Sequence, residues 1–186
     1  MDTPASLLER LRLPDQERAW TRFVDLYAPL LYSWARRTGC PEADAADLVQ
    51  EVLTLLLRKL PEFTYDRHRS FRGWLHVVAR NCWRNLRRRS QLPRAGNVPD
   101  LDELSAPEEA EPFWETEYRQ RLVNRALTLM QADFKPSTWK AFWETAVNGR
   151  PAAEVARELG ACVGTIYSAR SRVLSRLRQE LAGLLD

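Results

Sequence analysis

The chain reads as all-α, with two small helical domains joined by a flexible acidic linker, and three observations carry that reading. Apolar residues recur at helical spacing along most of the chain. No segment alternates with period two, as a half-buried strand would. Between Arg94 and Arg119 the helical pattern lapses into carboxylates and prolines. With 186 residues, 45% hydrophobic content and seven tryptophans, both domains can build real cores.

The first stripe is Trp20, Phe23, Val24, Tyr27, Leu31 and Trp34, in which Pro29 is expected to break the run into two pieces and Gly39 to end the second. Pro41 opens a third helix. Its Leu48, Val49, Val52, Leu55, Leu56 and Leu60 face inward, while Asp44, Asp47, Gln50, Glu51, Thr54 and Arg58 lie off that stripe. A turn through Pro61, Tyr65, Asp66, Arg67 and His68 leads to the next helix, for which Ser70 is the expected N-cap. There Phe71, Leu75, Val78, Cys82 and Leu86 recur at i, i+4, i+7, i+11 and i+15.

The other faces of this helix are cationic. No acidic residue occurs between Asp66 and Asp100, yet nine arginines do, in a chain of formal net charge +3. Arg80, Arg84, Arg87 and Arg88, with Asn81 and Asn85, line a helix ~30 Å long at ~1.5 Å per residue. Guanidinium forks match phosphates and guanine edges, and Asn matches adenine, so the surface suits nucleic acid better than a small anion. A merely solvated face is the alternative, but solubility alone favours interspersed signs.

After Arg94 the sign reverses. Asp100, Asp102, Glu103, Glu108, Glu109, Glu111, Glu115 and Glu117 follow with no Lys or Arg before Arg119, and Pro93, Pro99, Pro107 and Pro112 punctuate the stretch. This composition describes a linker, which divides the chain into residues 1–92, 93–112 and 113–186 and is expected to let the flanking modules act apart.

In the second module Tyr118, Leu122, Val123, Ala126, Leu129 and Met130 make one stripe. Trp139, Phe142, Trp143, Ala146 and Val147 make the next, stopped by Asn148 and Gly149. Pro151 opens a short helix to Leu159, Gly160 makes the turn, and Val163 to Leu181 supplies the last helix. Ala156, Gly160 and Ile166 have helix-turn-helix spacing: a small residue where two helices cross, a positive-φ turn, and an apolar plug. A simple αα corner has the same spacing. Thr165, Tyr167, Ser168, Arg170, Ser171, Arg172 and Arg176 on the second helix favour DNA, because hydroxyls and guanidiniums meet major-groove edges and flanking phosphates.

These residues resemble a known family. Asp47-Leu48-Val49-Gln50-Glu51-Val52, then Ser70-Phe71-Arg72-Gly73-Trp74-Leu75 and Ala79-Arg80-Asn81, resemble region 2 of bacterial RNA polymerase sigma factors. Gly164-Thr165-Ile166-Tyr167-Ser168 resembles region 4, and the order with a short linker is similar to the extracytoplasmic-function (ECF) group. The resemblance implies that the chain directs core RNA polymerase to promoter DNA and helps open the −10 region, with the β′ clamp helices and the β flap as polymerase contacts. It implies that Asp47, Gln50 and Glu51 dock the clamp helices. The turn from Phe63 to Arg69, with Tyr65 to stack and Arg67 beside it, would receive a base flipped from the −10 element. Arg80, Asn81, Arg84, Asn85, Arg87 and Arg88 would hold the −10 strand, and Thr165, Tyr167, Ser168, Arg170 and Ser171 would read the −35 element. An anti-sigma protein is a further partner that such a factor can have.

Two positions depart from the pattern. The strand-opening stretch is His76-Val77-Val78 and lacks an aromatic pair, which suggests melting without a Trp wedge. Arg170 stands where many ECF proteins have Leu, so either it leans outward or the recognition helix is rotated. The acidic linker is either a plain tether or a mimic of nucleic acid in the polymerase channel.

Other classes fit less well. A stand-alone helix-turn-helix regulator is the runner-up, and it would not need the Asp47 to Glu51 surface. No phosphate-binding Gly loop, H-E-x-x-H or G-x-S-x-G points to an enzyme. No cofactor, no metal and no disulfide are expected: Cys40, Cys82 and Cys162 are odd in number and far apart, and His68 and His76 lack neighbours at ligand spacing. Without a long apolar run or a signal-peptide layout, no membrane insertion is expected and a bacterial cytoplasmic location is.

Overall fold

The computed structural model describes residues 6–11, 13, 17–60, 70–91, 114 and 117–185. Its described elements are helical: α1 (Leu7–Leu11), α2 (Glu17–Arg37), α3 (Glu42–Lys59), α4 (Phe71–Gln91), α5 (Tyr118–Met130), α6 (Pro136–Phe142), α7 (Ala152–Leu159) and α8 (Val163–Leu181). A 3₁₀ turn, Gln131–Asp133, follows α5, and a π turn, Trp143–Val147, extends α6.

Helix α1 was not anticipated. Ser6 and Glu9 form a reciprocal capping box, the Glu9 amide donating to Ser6 Oγ at 3.2 Å and the Ser6 amide to Glu9 Oε2 at 2.7 Å. Leu7, Leu8 and Leu11 are thereby turned into the core.

Pro29 does not break α2, contrary to the sequence expectation. It lacks the N–H that would have bonded the Asp25 carbonyl four residues earlier. Arg125 of α5 supplies a donor instead, its Nε lying 2.8 Å from that oxygen. The helix continues because a tertiary partner satisfies the exposed backbone group. Ala19, Phe23, Leu26, Tyr27, Leu30, Leu31, Trp34 and Ala35 form its buried face.

Gly39, at φ 83°, ends α2, and Pro41 caps α3. The α3 stripe packs on α2 and α4 through Leu48, Val52, Leu56 and Leu60. Ser70 caps α4 as expected, its Oγ accepting from the Gly73 amide at 3.1 Å.

The two modules share one continuous core, so they are packed together and not held apart. Trp114 inserts among Trp34, His76 and Tyr118, with ring centroids 6.0, 5.0 and 5.4 Å away. Tyr118 donates its only hydroxyl proton to the Leu184 carbonyl at 2.8 Å, so Tyr27 must be the donor in its 2.8 Å bond to Tyr118. Burial pushes both phenols above their ordinary range. At the end of α8, Glu180 is buried and meets Arg22 at 2.7 Å, Arg176 at 3.5 Å and Arg10 at 3.6 Å. Gly183, at φ 76°, turns the tail back over α1, where a Cβ would stand 3.2 Å from Leu8 Cδ1.

The second module adds two smaller clusters, one of Ala141, Val155, Ala156, Ile166 and Ala169, the other of Met130, Trp139, Phe142 and Val173. Trp143 and Val147, expected on the core stripe, are exposed instead. Thr145 Oγ1 donates to the Ala141 carbonyl at 2.7 Å, and the local ladder widens, as in the 3.0 Å bond from the Asn148 amide to the Trp143 carbonyl. The wider turn rotates both residues off the period of α6.

Candidate nucleic-acid interface

Arg80, Arg84, Arg87 and Arg88 follow i, i+4, i+7 and i+8 and therefore share one face of α4. Arg84, Arg87 and Arg88 are exposed, while Arg80, Asn81 and Asn85 are half-buried on the flanks. The opposite face is anchored by Phe71, Leu75, Val78 and Cys82, with burial pushing the Cys82 thiol up to about 12. His76, Val77 and Val78 are all buried, His76 at 5.0 Å from the Trp114 ring, so this stretch presents no side chain at the surface for strand opening.

On α3, Asp47 and Gln50 are exposed, and Glu51 is half-buried beside α4, where Arg89 reaches it at 3.4 Å. The candidate docking residues and the basic helix are thus adjacent. Tyr65 and Arg67, the whole turn from Phe63 to Arg69 and the linker carboxylates from Asp100 to Glu111 lie outside the described residues.

In the second module Gly160 takes φ 61° and ψ 34°, the left-handed conformation that an L side chain rarely adopts, and turns α7 into α8. Ile166, Ala169 and Val173 face the core, so Arg170 leans outward and shares the exposed face with Tyr167, Ser168 and Ser171. This decides between the two placements open for Arg170. Thr165 is also exposed, and its hydroxyl lies 3.0 Å from Cys162 Sγ. That hydroxyl, with the Thr165 and Gly164 amides, holds the exposed Cys162 thiol below its ordinary value. The open groove on α8 extends from Tyr167 through Ser171 and Arg172 to Ser175 and Gln179, and of these Ser175 and Gln179 were not singled out from sequence. Arg176 lines it too, but reaches across to Glu180. Away from the groove, Arg150 forks between Glu144 at 3.0 Å and Glu158 at 2.8 Å, and Lys140 meets Glu158 at 2.6 Å. These bonds brace α7 against α6.

A basic helix beside a helix with exposed acidic and amide side chains, followed by a helix-turn-helix, is the layout of a DNA-binding protein. The Sigma-70 region 2 family matches residues 23–92. The RNA polymerase sigma factor CnrH of Cupriavidus metallidurans is 31% identical over 176 residues, covering 91% of this chain and 88% of its own. The ECF RNA polymerase sigma factor SigL of Mycobacterium tuberculosis is 30% identical over 161 residues, covering 86% and 87%. Among solved structures, CnrH in complex with the cytosolic domain of CnrY aligns over 92% of each chain at 25% identity, with a TM-score of 0.38. The chain belongs to the ECF RNA polymerase sigma factors. It binds core RNA polymerase and promoter DNA and directs transcription initiation, which sets aside the reading as a stand-alone regulator. Sigma factors are not a class of enzyme, and among the described residues no helix is long and apolar enough to cross a membrane.

Proposed function

We propose that the promoter is read by two separate faces of this chain, with no catalysis by the chain itself. Asp47, Gln50 and Glu51 dock the β′ clamp helices. The face of Arg84, Arg87 and Arg88, flanked by Arg80, Asn81 and Asn85, holds the −10 strand, and the turn carrying Tyr65 and Arg67 completes that site. Tyr167, Ser168, Arg170 and Ser171, with Thr165 at the helix start, read the −35 element, while the other side of this helix-turn-helix domain meets the β flap. The domains span residues 1–92 and 113–186, joined by the acidic linker 93–112, the protein works in the cytoplasm, and an anti-sigma protein is a regulator compatible with it. The observation that carries the reading is the one-sided exposure of Arg84, Arg87 and Arg88 on a helix whose other face is core.

Reading both elements at once requires the modules to part. By their names the −10 and −35 elements are centred about 25 base pairs apart, or ~85 Å at ~3.4 Å per base pair. A compactly packed chain of this length has a radius of gyration of only ~16 Å and spans roughly 40 Å, and here the far end of α8 is tied to α2 through Glu180 and Arg22. The packed arrangement is too short for both.

Titration of the Gln50→Ala, Glu51→Ala double variant against core polymerase tests the docking assignment. Affinity is expected to fall at least about tenfold, the factor that ~1.4 kcal/mol represents. The Glu51–Arg89 pair is largely solvated, so its loss should cost less than ~1 kcal/mol of stability. Normal polymerase affinity in the folded variant would remove the assignment.

Ser168 lies on the exposed face between Thr165 and Ser171, near the N-terminal end of α8 that would enter the groove. Replacing it by Ala or Arg is expected to change preference at one or two adjacent base pairs of the −35 element by ~1–3 kcal/mol. A selection over randomised −35 sequences reads this out. Identical sequence logos for wild type and both variants would mean that Ser168 contacts no base.

A further inference from the structure

Beside the basic stripe of α4 lies a cavity of about 270 Å³ that none of the assignments above uses. Thr38, Gly39 and Pro41 of the α2–α3 turn form one wall, Asp44 of the first turn of α3 another, and Trp83, Leu86 and Arg87 of α4 the third. Gly39 keeps its side open, since a Cβ built there would meet nothing within 4 Å. Trp83 stands one helical step from Arg80 and Arg87, between the apolar stripe and the cationic face. The Arg87 guanidinium lies over its indole, 5.7 Å from the ring centroid.

The lining selects its ligand. The volume falls just under the ~300–1,000 Å³ of sites for drug-sized molecules, which suits one heterocycle with its sugar and phosphate left outside. Indole and guanidinium planes are stacking surfaces for a base. A carboxylate can only accept hydrogen bonds, so Asp44 favours a base edge that presents N–H donors and disfavours one dominated by carbonyl oxygens. Cytosine N4 is the usual partner of such a carboxylate, whereas thymine offers only N3–H, set between two carbonyl oxygens that a carboxylate repels. Asp44 lines the cavity with its side chain only half-buried, and it forms no ion pair among the described residues.

We propose that this cavity holds one unpaired base of the opened promoter strand, with cytosine preferred over thymine. The inference rests on the reading of α4 as the helix that holds the strand. It adds a second point of base recognition, separate from the turn that carries Tyr65, with Trp83 as the stacking residue and Asp44 as the specificity-determining one.

The test uses holoenzyme reconstituted with core polymerase and fluorescent single-stranded 12-mers, dC12 and dT12, read by anisotropy. Wild type should bind dC12 about tenfold more tightly than dT12. Asp44→Asn, which removes the charge and turns one of the two acceptor oxygens into a donor that thymine carbonyls can accept from, should bring that ratio to within about twofold. Trp83→Ala should weaken dC12 about fivefold or more, and Trp83→Phe, which retains a ring, should recover most of the loss. A ratio that Asp44→Asn leaves unchanged would overturn the proposal. Weaker core binding by Asp44→Asn without any DNA would overturn it as well, since Asp44 would then belong to the polymerase-docking face. Arg84→Glu separates the two levels of the argument. If it weakens both oligonucleotides while Asp44→Asn leaves the ratio intact, only the cavity assignment fails; if it weakens neither, the strand-holding role of α4 fails too.

Discussion

Replacing Glu180 by Ala is expected to lower the stability of the free protein by about 3 kcal/mol, which at ~2–4 °C per kcal/mol for a chain of this size is a fall in Tm of about 6–12 °C. The side chain of Glu180 is wholly buried, and Arg22, Arg176 and Arg10 converge on it at 2.7, 3.5 and 3.6 Å. Removing the one carboxylate at their centre leaves these cations facing one another around a cavity. Asp133 offers Arg22 a second partner at 3.8 Å, but it does not reach the other two. Loss of one member of a buried ion pair typically costs ~3–5 kcal/mol. The low end applies here, because the side chains of Arg10 and Arg176 stay 31% and 36% exposed and can relax into water. Glu180→Gln keeps an oxygen for Arg22 Nε and should lose about half as much. Thermal unfolding followed by circular dichroism checks both variants. A Tm within about 1 °C of wild type for Glu180→Ala would show that the cluster contributes nothing net, the outcome expected when desolvation cancels the Coulomb gain. Because the cluster ties the end of α8 to α1 and α2, weakening it should also ease the parting of the modules. Promoter binding by the holoenzyme should therefore not fall with stability.

Reversing Arg84 and Arg87 to Glu should have the largest effect on DNA. Both side chains are exposed on one face of α4, so each can meet a phosphate and neither is needed in the core. Each lost phosphate contact lowers the slope of log affinity against log salt by ~0.7 for a single strand or ~0.9 for duplex. Two contacts give a change of ~1.4–1.8, equivalent to an affinity loss of about 10–30-fold at 0.15 M salt when referred to 1 M. Repulsion from the new carboxylates adds to that. Core polymerase should still be bound, since Asp47 and Gln50 lie on another helix. Filter binding of promoter DNA across a salt series measures the slope, and an unchanged slope in an assembled holoenzyme would reduce this face to a solvated one.

The helices and their punctuation were legible without coordinates because they depend on neighbours three and four residues away. Phe71, Leu75, Val78 and Cys82 keep a strict period and are all buried, Ser70 caps α4, and Gly39 and Gly160 turn where positive φ is required. The same logic made the Ala156, Gly160 and Ile166 spacing readable as a helix-turn-helix. Two local signals were missed. The Ser6 to Glu9 capping box was present in the chain, but five residues of helix are too few to show a period. Thr145 gave no warning that its hydroxyl would take a backbone carbonyl and turn Trp143 and Val147 outward.

Chemistry along the chain likewise marked out the candidate site: one-signed charge on α4, carboxylates on α3 and hydroxyls on α8 are properties of single helices. What joins those helices is not. Arg22 and Glu180 are 158 residues apart, Tyr27 and Tyr118 are 91 apart, and the Asp25 carbonyl freed by Pro29 finds Arg125 across 100. The cavity beside Trp83 exists only because α4 packs against the α2–α3 turn. By itself the sequence determined which face of each helix is apolar, cationic or acidic, since side-chain direction follows from the 3.6-residue turn alone. Only the tertiary structure decided that the two modules share a core, that Arg170 faces outward and that Glu180 is buried, because those outcomes depend on contacts between segments whose separation no local period records.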